Sequence, residues 1–252
     1  ILLITFIFTI YIVFRQKRLS EMKNDFINNM THELKTPVST ISLAAQMLKD
    51  SDITNSPEVF KHISGVINDE TKRLGFLVEK VLQMSLFERQ KATLKLKELD
   101  ANDLIISVAN TFALKVEKYG GTLDLDLDAL DSTIYVDEMH ITNVLFNLMD
   151  NAVKYRRQDV PLALLVRTWN ENGKLHISVE DNGIGIKKEY LKKVFDRFFR
   201  VPTGNKHDVK GFGLGLAYVR KIIEDHKGSI RAEQGNNNIG TKFIITLPLI
   251  KS

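Results

Sequence analysis

His32-Glu33-Leu34-Lys35-Thr36-Pro37 sets an imidazole beside a carboxylate in the middle of a helical pattern, and the architecture of the first third of the chain reads outward from it. Leu19, Met22, Phe26, Met30, Leu34, Val38, Ile41, Ala45 and Leu48 recur at steps of three and four, the spacing of one apolar helix face. His32 falls off that stripe and faces outward, with Thr36 one turn further along the same face and Glu33 its immediate neighbour. Pro37 is expected to kink or loosen the helix, because its ring removes a backbone donor and clashes with the preceding turn.

The pattern breaks across residues 51–57, a stretch rich in Ser, Asp, Asn and Pro, and resumes in a second helix. There Phe60, Ile63, Ile67, Leu74, Leu77, Val81 and Met84 keep the same spacing up to about Glu88. Two amphipathic helices joined by a short loop form an antiparallel hairpin, and one hairpin does not bury both stripes fully. A homodimer whose hairpins make a four-helix bundle is the expected solution; packing against the rest of the same chain is the other.

From about residue 92 the texture changes to alternating segments. Residues 122–127, 134–136, 162–169, 174–180, 229–234 and 242–247 read as strands, and 101–118, 138–156 and 213–226 as helices. Asn170-Glu171-Asn172-Gly173 carries the asparagine-glycine chemistry of a hairpin turn. The expected fold class is α+β: the helical hairpin, then an α/β sandwich with a mixed sheet and helices on one face.

Composition narrows the function. With 252 residues and 44% apolar content there is room for a large domain or two modest ones with real cores. A net charge of +4 and no basic stripe interleaved with aromatics argue against nucleic acid. There is no cysteine, so disulfides and thiolate metal sites are excluded. Residues 1–14 carry no charge and are followed at once by Arg15-Gln16-Lys17-Arg18, the border of a membrane exit on its cytoplasmic side. As a helix these residues reach about 21 Å against a hydrocarbon core of about 30 Å, so they are expected to be the C-terminal part of a transmembrane helix. The rest is expected in the cytoplasm.

Four later segments carry chemistry. Asn147 and Asn151 share a helix face, where amide oxygens can hold a hard cation such as Mg²⁺ or bond phosphates, and Lys154 adds charge nearby. Asp181-Asn182-Gly183-Ile184-Gly185-Ile186 follows a strand; a buried carboxylate there can accept from an adenine amino group, while glycines let the backbone pass close to a ring. Phe195-Asp196-Arg197-Phe198-Phe199-Arg200 is an aromatic and basic cluster. Gly211-Phe212-Gly213-Leu214-Gly215-Leu216 is a glycine-rich turn opening a helix, whose N–H groups suit phosphate. Each alone also fits an ordinary role: a solvated face, a turn, core packing.

In their order and spacing, these segments together with His32 to Pro37 and Gly240-Thr241 resemble the sensor histidine kinases of two-component signalling, from Arg15 to the end. The resemblance implies three parts: residues 1–14 in the membrane, 15–90 as the dimerisation and histidine phosphotransfer domain, and 91–252 as an ATP-binding domain of the Bergerat (GHKL) type. By that similarity His32 is the phosphoacceptor, Glu33 its base, and Thr36 positions water for dephosphorylating the partner, the receiver domain of a response regulator. Asp181 reads adenine, Asn151 with Asn147 holds Mg²⁺, and Lys154 steadies phosphate. Tyr155, Gly183, Gly185, Phe195, Arg200, Gly211, Gly213, Leu214, Gly215 and Thr241 complete the implied ATP site, with residues 200–210 as its lid. The alternatives are an ATPase of the same fold that drives conformational change, and a membrane-tethered scaffold that binds ATP without kinase activity.

Overall fold

The computed structural model describes residues 2–49, 56–88, 94–201 and 213–250. The chain forms two compact units, residues 1–85 and 86–252.

The first unit is helical. α1 spans Leu2–Met47 and passes through Pro37 without ending there; α2 spans Pro57–Glu88. Pro57 suits the first helical position, where its missing N–H is not needed, and the Ser56 carbonyl accepts from Phe60 N–H at 3.0 Å. Phe26, Met30, Ile63 and Leu77 are buried, as the stripes require. The second half of the first stripe needs correcting. Val38 is 52% exposed and Ala45 exposed, while Pro37 and Ala44 are buried in their place; Ile41 and Leu48 stay partly buried, so the inward face runs through Leu34, Pro37, Ile41, Ala44 and Leu48. Phe60 is exposed too, and the side chains of Leu19, Val81 and Met84 lie outside those described. No helix among the described residues is long and apolar enough to cross a membrane.

The second unit is a two-layer sandwich. Its elements are β1 (Lys97–Asp100), α3 (Ala101–Glu117), β2 (Thr122–Leu127), β3 (Thr133–Val136), α4 (Glu138–Lys154), β4 (Ala163–Glu171), β5 (Lys174–Asp181), α5 (Gly215–Asp225), β6 (Ser229–Gln234) and β7 (Thr241–Pro248). The five-stranded sheet runs β2-β4-β5-β7-β6, parallel between β2 and β4 and antiparallel elsewhere. Leu164, Val166, Leu175, Ile177, Val179, Phe243, Ile245 and Leu247 alternate onto one face, where they join the buried stripes of α3, α4 and α5 in one core. The β4–β5 hairpin turns at Asn172 and Gly173, both at positive φ, as the asparagine-glycine pair predicts.

Several boundaries move by one or two residues and one strand is new. α4 stops at Lys154 with Tyr155 as its cap, and α5 begins at Gly215. The strand β1, which pairs antiparallel with β3, has Leu99 as its sole apolar residue and so leaves no alternation to read. Helix starts follow capping chemistry. Asp100 accepts from Asn102 N–H at 2.7 Å, and Asp137 accepts from His140 N–H at 3.2 Å. Asp137 is tied in further: its carboxylate accepts from Lys95 N–H at 2.8 Å, and its own N–H donates to His226 Nε2 at 2.9 Å.

Candidate functional site

In the helical unit His32 and Thr36 are exposed on the same side of α1. The Thr36 hydroxyl donates to the His32 carbonyl at 3.3 Å, a back-bond that suits a helix short of one donor at Pro37. Glu33 is half-buried and accepts from Arg73 Nη2 of α2 at 3.2 Å. Sequence reasoning passed over Arg73; its signal is a charged residue directly before Leu74 on the inward stripe. Of the other histidines, His62 is exposed on α2, His140, His176 and His226 are buried, and His207 lies outside the described residues.

In the sandwich, separate segments meet at one end. α4 carries Asn147, Asn151 and Lys154 down one side, all half-buried. Asn147 Nδ2 donates to the Asn143 carbonyl at 2.7 Å, which turns its Oδ1 toward the start of α5, 2.9 Å from where a Cβ on Gly215 would stand. Asp181 closes β5 on the face that α4 covers, opposite Leu164 and Thr241. Its carboxylate accepts from Gly183 N–H at 2.8 Å and from the Thr241 N–H. Burial outweighs those bonds and pushes the Asp181 carboxyl up to about 6, with the Glu180 charge adding to the rise.

The cap of α4 joins the same cluster. The Tyr155 carbonyl accepts from Ile184 N–H at 3.0 Å, and a Cβ on Gly183 would stand 2.5 Å from that carbonyl. Burial raises the Tyr155 phenol, opposed by the Arg200 charge, and Lys154 Nζ lies 5.3 Å from the Tyr155 ring centroid. Gly185 stands against the Gly240 carbonyl. Gly240, at φ +70°, lies so close to the Asp181 carbonyl that a Cβ would overlap it. Gly240→Ala is therefore expected to lower the stability of this unit by about 1–3 kcal/mol, read as a drop of several degrees in the unfolding midpoint; an unchanged midpoint would remove the close approach.

Phe195 is a core residue, edge-to-face with Phe243 at 6.2 Å between centroids. The strip that follows is stitched to the glycine-rich turn, because Phe198 N–H donates to the Gly213 carbonyl at 2.8 Å. Leu214 is buried and caps α5 without a side-chain bond, so the first N–H groups of that helix are left for another acceptor. Gly211 and most of residues 200–210 lie outside the described residues. Among the described residues no group of three or more histidine, aspartate or glutamate side chains is arranged to hold a metal ion.

Comparison with known proteins agrees with this geometry. The family model for the histidine kinase-, DNA gyrase B- and HSP90-like ATPases matches residues 136–251, and that for the His Kinase A (phospho-acceptor) domain matches residues 22–90. Sensor protein RprX of Bacteroides fragilis is 74% identical over 252 residues, covering 100% of this chain and 48% of its own length. The solved catalytic domain of histidine kinase ThkA is 31% identical, with a TM-score of 0.53 over 62% of this chain and 96% of its own. ThkA in complex with the response regulator protein TrrA is 27% identical, with a TM-score of 0.63 over 94% of this chain and 64% of its own.

Fold and site together define a helical phosphoacceptor region followed by a GHKL-type ATPase domain. The chain belongs to the sensor histidine kinases. It spans about half the length of RprX, 48%.

Proposed function

We propose that this chain phosphorylates its own His32 from ATP and passes the phosphoryl group to an aspartate on the receiver domain of a response regulator. The observation that carries the reading is the exposed His32 imidazole on α1, next to a carboxylate and inside the stretch matched by the phosphoacceptor family model. One imidazole nitrogen attacks the γ-phosphorus, the bond to the β–γ bridging oxygen breaks, and ADP leaves. Glu33 takes the proton from the other ring nitrogen, which keeps the attacking lone pair available. Residues 15–90 form the dimerisation and phosphotransfer domain of a homodimer, and residues 91–252 bind ATP. The exposed apolar residues Val38, Leu43, Met47 and Phe60 supply the surface that a second hairpin would cover.

Within the ATP site Asp181 accepts from the adenine amino group, Thr241 and the glycines at 183 and 185 shape the base pocket, and Lys154, Tyr155 and Arg200 flank the phosphates. The turn through Gly211, Gly213, Leu214 and Gly215 offers its N–H groups to them, and Phe195 holds that segment on the core. Asn147 and Asn151 would hold Mg²⁺: the Asn147 amide oxygen lies beside the start of α5, and Asn151 is one turn further along α4. When bound, the cation offsets charge on the phosphates.

Residues 1–14 are read as the end of a membrane helix, which puts the remainder in the cytoplasm. Leu2, Phe8 and Phe14 are 87%, 62% and 68% exposed, apolar surface suited to lipid, and Arg15, Lys17 and Arg18 follow. The resemblance of ThkA, solved with TrrA, supports a receiver partner.

Thr36 is assigned to the reverse reaction, orienting water toward a phosphorylated regulator. Thr36→Ala deletes that hydroxyl and keeps the imidazole, so labelling of His32 should survive while loss of phosphate from the regulator slows markedly. Decay of a purified phosphorylated regulator with parent or variant decides it; equal rates would leave Thr36 as a helix-surface residue.

The kinase reading itself is tested by incubating the chain with γ-labelled ATP and mapping the labelled residue. A scaffold that only binds ATP would take up nucleotide and no label.

A further inference from the structure

Glu33 sits one position beyond His32, and successive residues on a helix point about 100° apart, so the exposed imidazole and the carboxylate facing α2 diverge. On α2, Arg73 donates from Nη2 to Glu33 Oε2 at 3.2 Å and places Nη1 3.8 Å from Oε2 of Glu70, one turn earlier. That Glu70 oxygen is buried and accepts no hydrogen bond among the described residues, an arrangement that costs free energy until a donor reaches it. Pro37 removes the N–H that would have bonded the Glu33 carbonyl, so the backbone is loosened at the residue whose side chain Arg73 holds.

We propose that Arg73 is a positioning residue that divides its guanidinium between Glu33 and Glu70 and thereby decides whether Glu33 reaches His32. In the arrangement seen, Glu33 is drawn toward α2. Closing the 3.8 Å gap to Glu70 satisfies the buried oxygen and releases Glu33 to accept the imidazole N–H. The exchange replaces one part-exposed ion pair by another, each of modest worth, and the hydrogen bond gained by the buried Glu70 oxygen offsets the one lost at Glu33. The inference rests on the reading above, in which Glu33 takes the imidazole proton.

The test is the initial rate of His32 labelling as a function of ATP concentration. Arg73→Gln is expected to raise the maximal rate about two- to fivefold with KM for ATP unchanged, and Glu70→Gln, which removes the competing charge, to lower it by a similar factor. The double variant should match Arg73→Gln alone, since without the guanidinium Glu70 has nothing to compete for. Arg73→Lys keeps a cation and should stay near the parent rate. A lower rate in Arg73→Gln, additive effects in the double variant, or a rise in Arg73→Lys equal to that in Arg73→Gln overturns the proposal. The ¹⁵N resonances of the His32 ring, recorded without ATP, give a second readout. Arg73→Gln should shift the tautomer balance as Glu33 engages one ring N–H, and an unchanged balance overturns the proposal. If the parent takes no label the kinase reading fails, and the ring resonances still decide the exchange.

Discussion

His32→Gln is expected to reduce label from γ-labelled ATP to background while ATP affinity stays unchanged. The argument has two steps. Glutamine keeps a polar side chain of similar reach on the exposed face of α1, so the helix is not disturbed, but its amide nitrogen has no nucleophilic lone pair. The ATP site assigned above is built from residues of the other compact unit, so the substitution removes the acceptor without touching the nucleotide contacts. A titration with ATP alongside the labelling assay reads the two properties separately. Label persisting in the variant would move the acceptor elsewhere, and the remaining choices are few: His62 is the other exposed histidine among the described residues.

Asp181→Ala is expected to weaken ATP binding about ten- to a hundredfold, the worth of a hydrogen bond to a charged acceptor. It should also erase a preference for ATP over GTP, because in the proposed site the carboxylate accepts from the adenine amino group and would meet a carbonyl oxygen on guanine. The pH dependence gives the same assignment a signature of its own. The carboxyl is raised by burial from 3.8 to about 6, so the folded protein takes up a proton between those values that the unfolded chain has already released. The destabilising cost of the buried charge is therefore present above pH about 6 and fades as pH falls through that window, whereas ATP affinity should fall there because the charged acceptor is lost. Opposite trends in unfolding midpoint and ATP affinity, both absent in Asp181→Ala, are expected. Equal ATP affinity in parent and variant would remove Asp181 from the site.

Much of this was legible in the residues because the relevant signals are local. The alternation of Leu164, Val166, Leu175, Ile177 and Val179 and the Asn172-Gly173 turn specify the sheet without reference to distant contacts. Gly183 and Gly185 mark close approaches of backbone, to the Tyr155 and Gly240 carbonyls. What stayed hidden is non-local. β1 exists because its backbone pairs with β3, and its side chains carry no pattern. Arg73 meets Glu33 across forty residues of sequence, so periodicity on either helix alone does not couple them. The inward face takes Pro37 and Ala44 in place of Val38 and Ala45, a register that keeps steps of three and four but runs through a proline, which does not read as an apolar helix position. Core packing is one of the readings open for Phe195, and its edge-to-face contact with Phe243 takes that reading.

The central claim is that His32 carries phosphate on nitrogen, and ³¹P spectroscopy of the parent protein after reaction with ATP and Mg²⁺ tests it most directly. The account predicts a phosphoramidate signal that disappears in mild acid, persists in base, and maps to the peptide containing His32. An acid-stable phosphate ester, or no protein-bound phosphorus while ATP is bound, would contradict it.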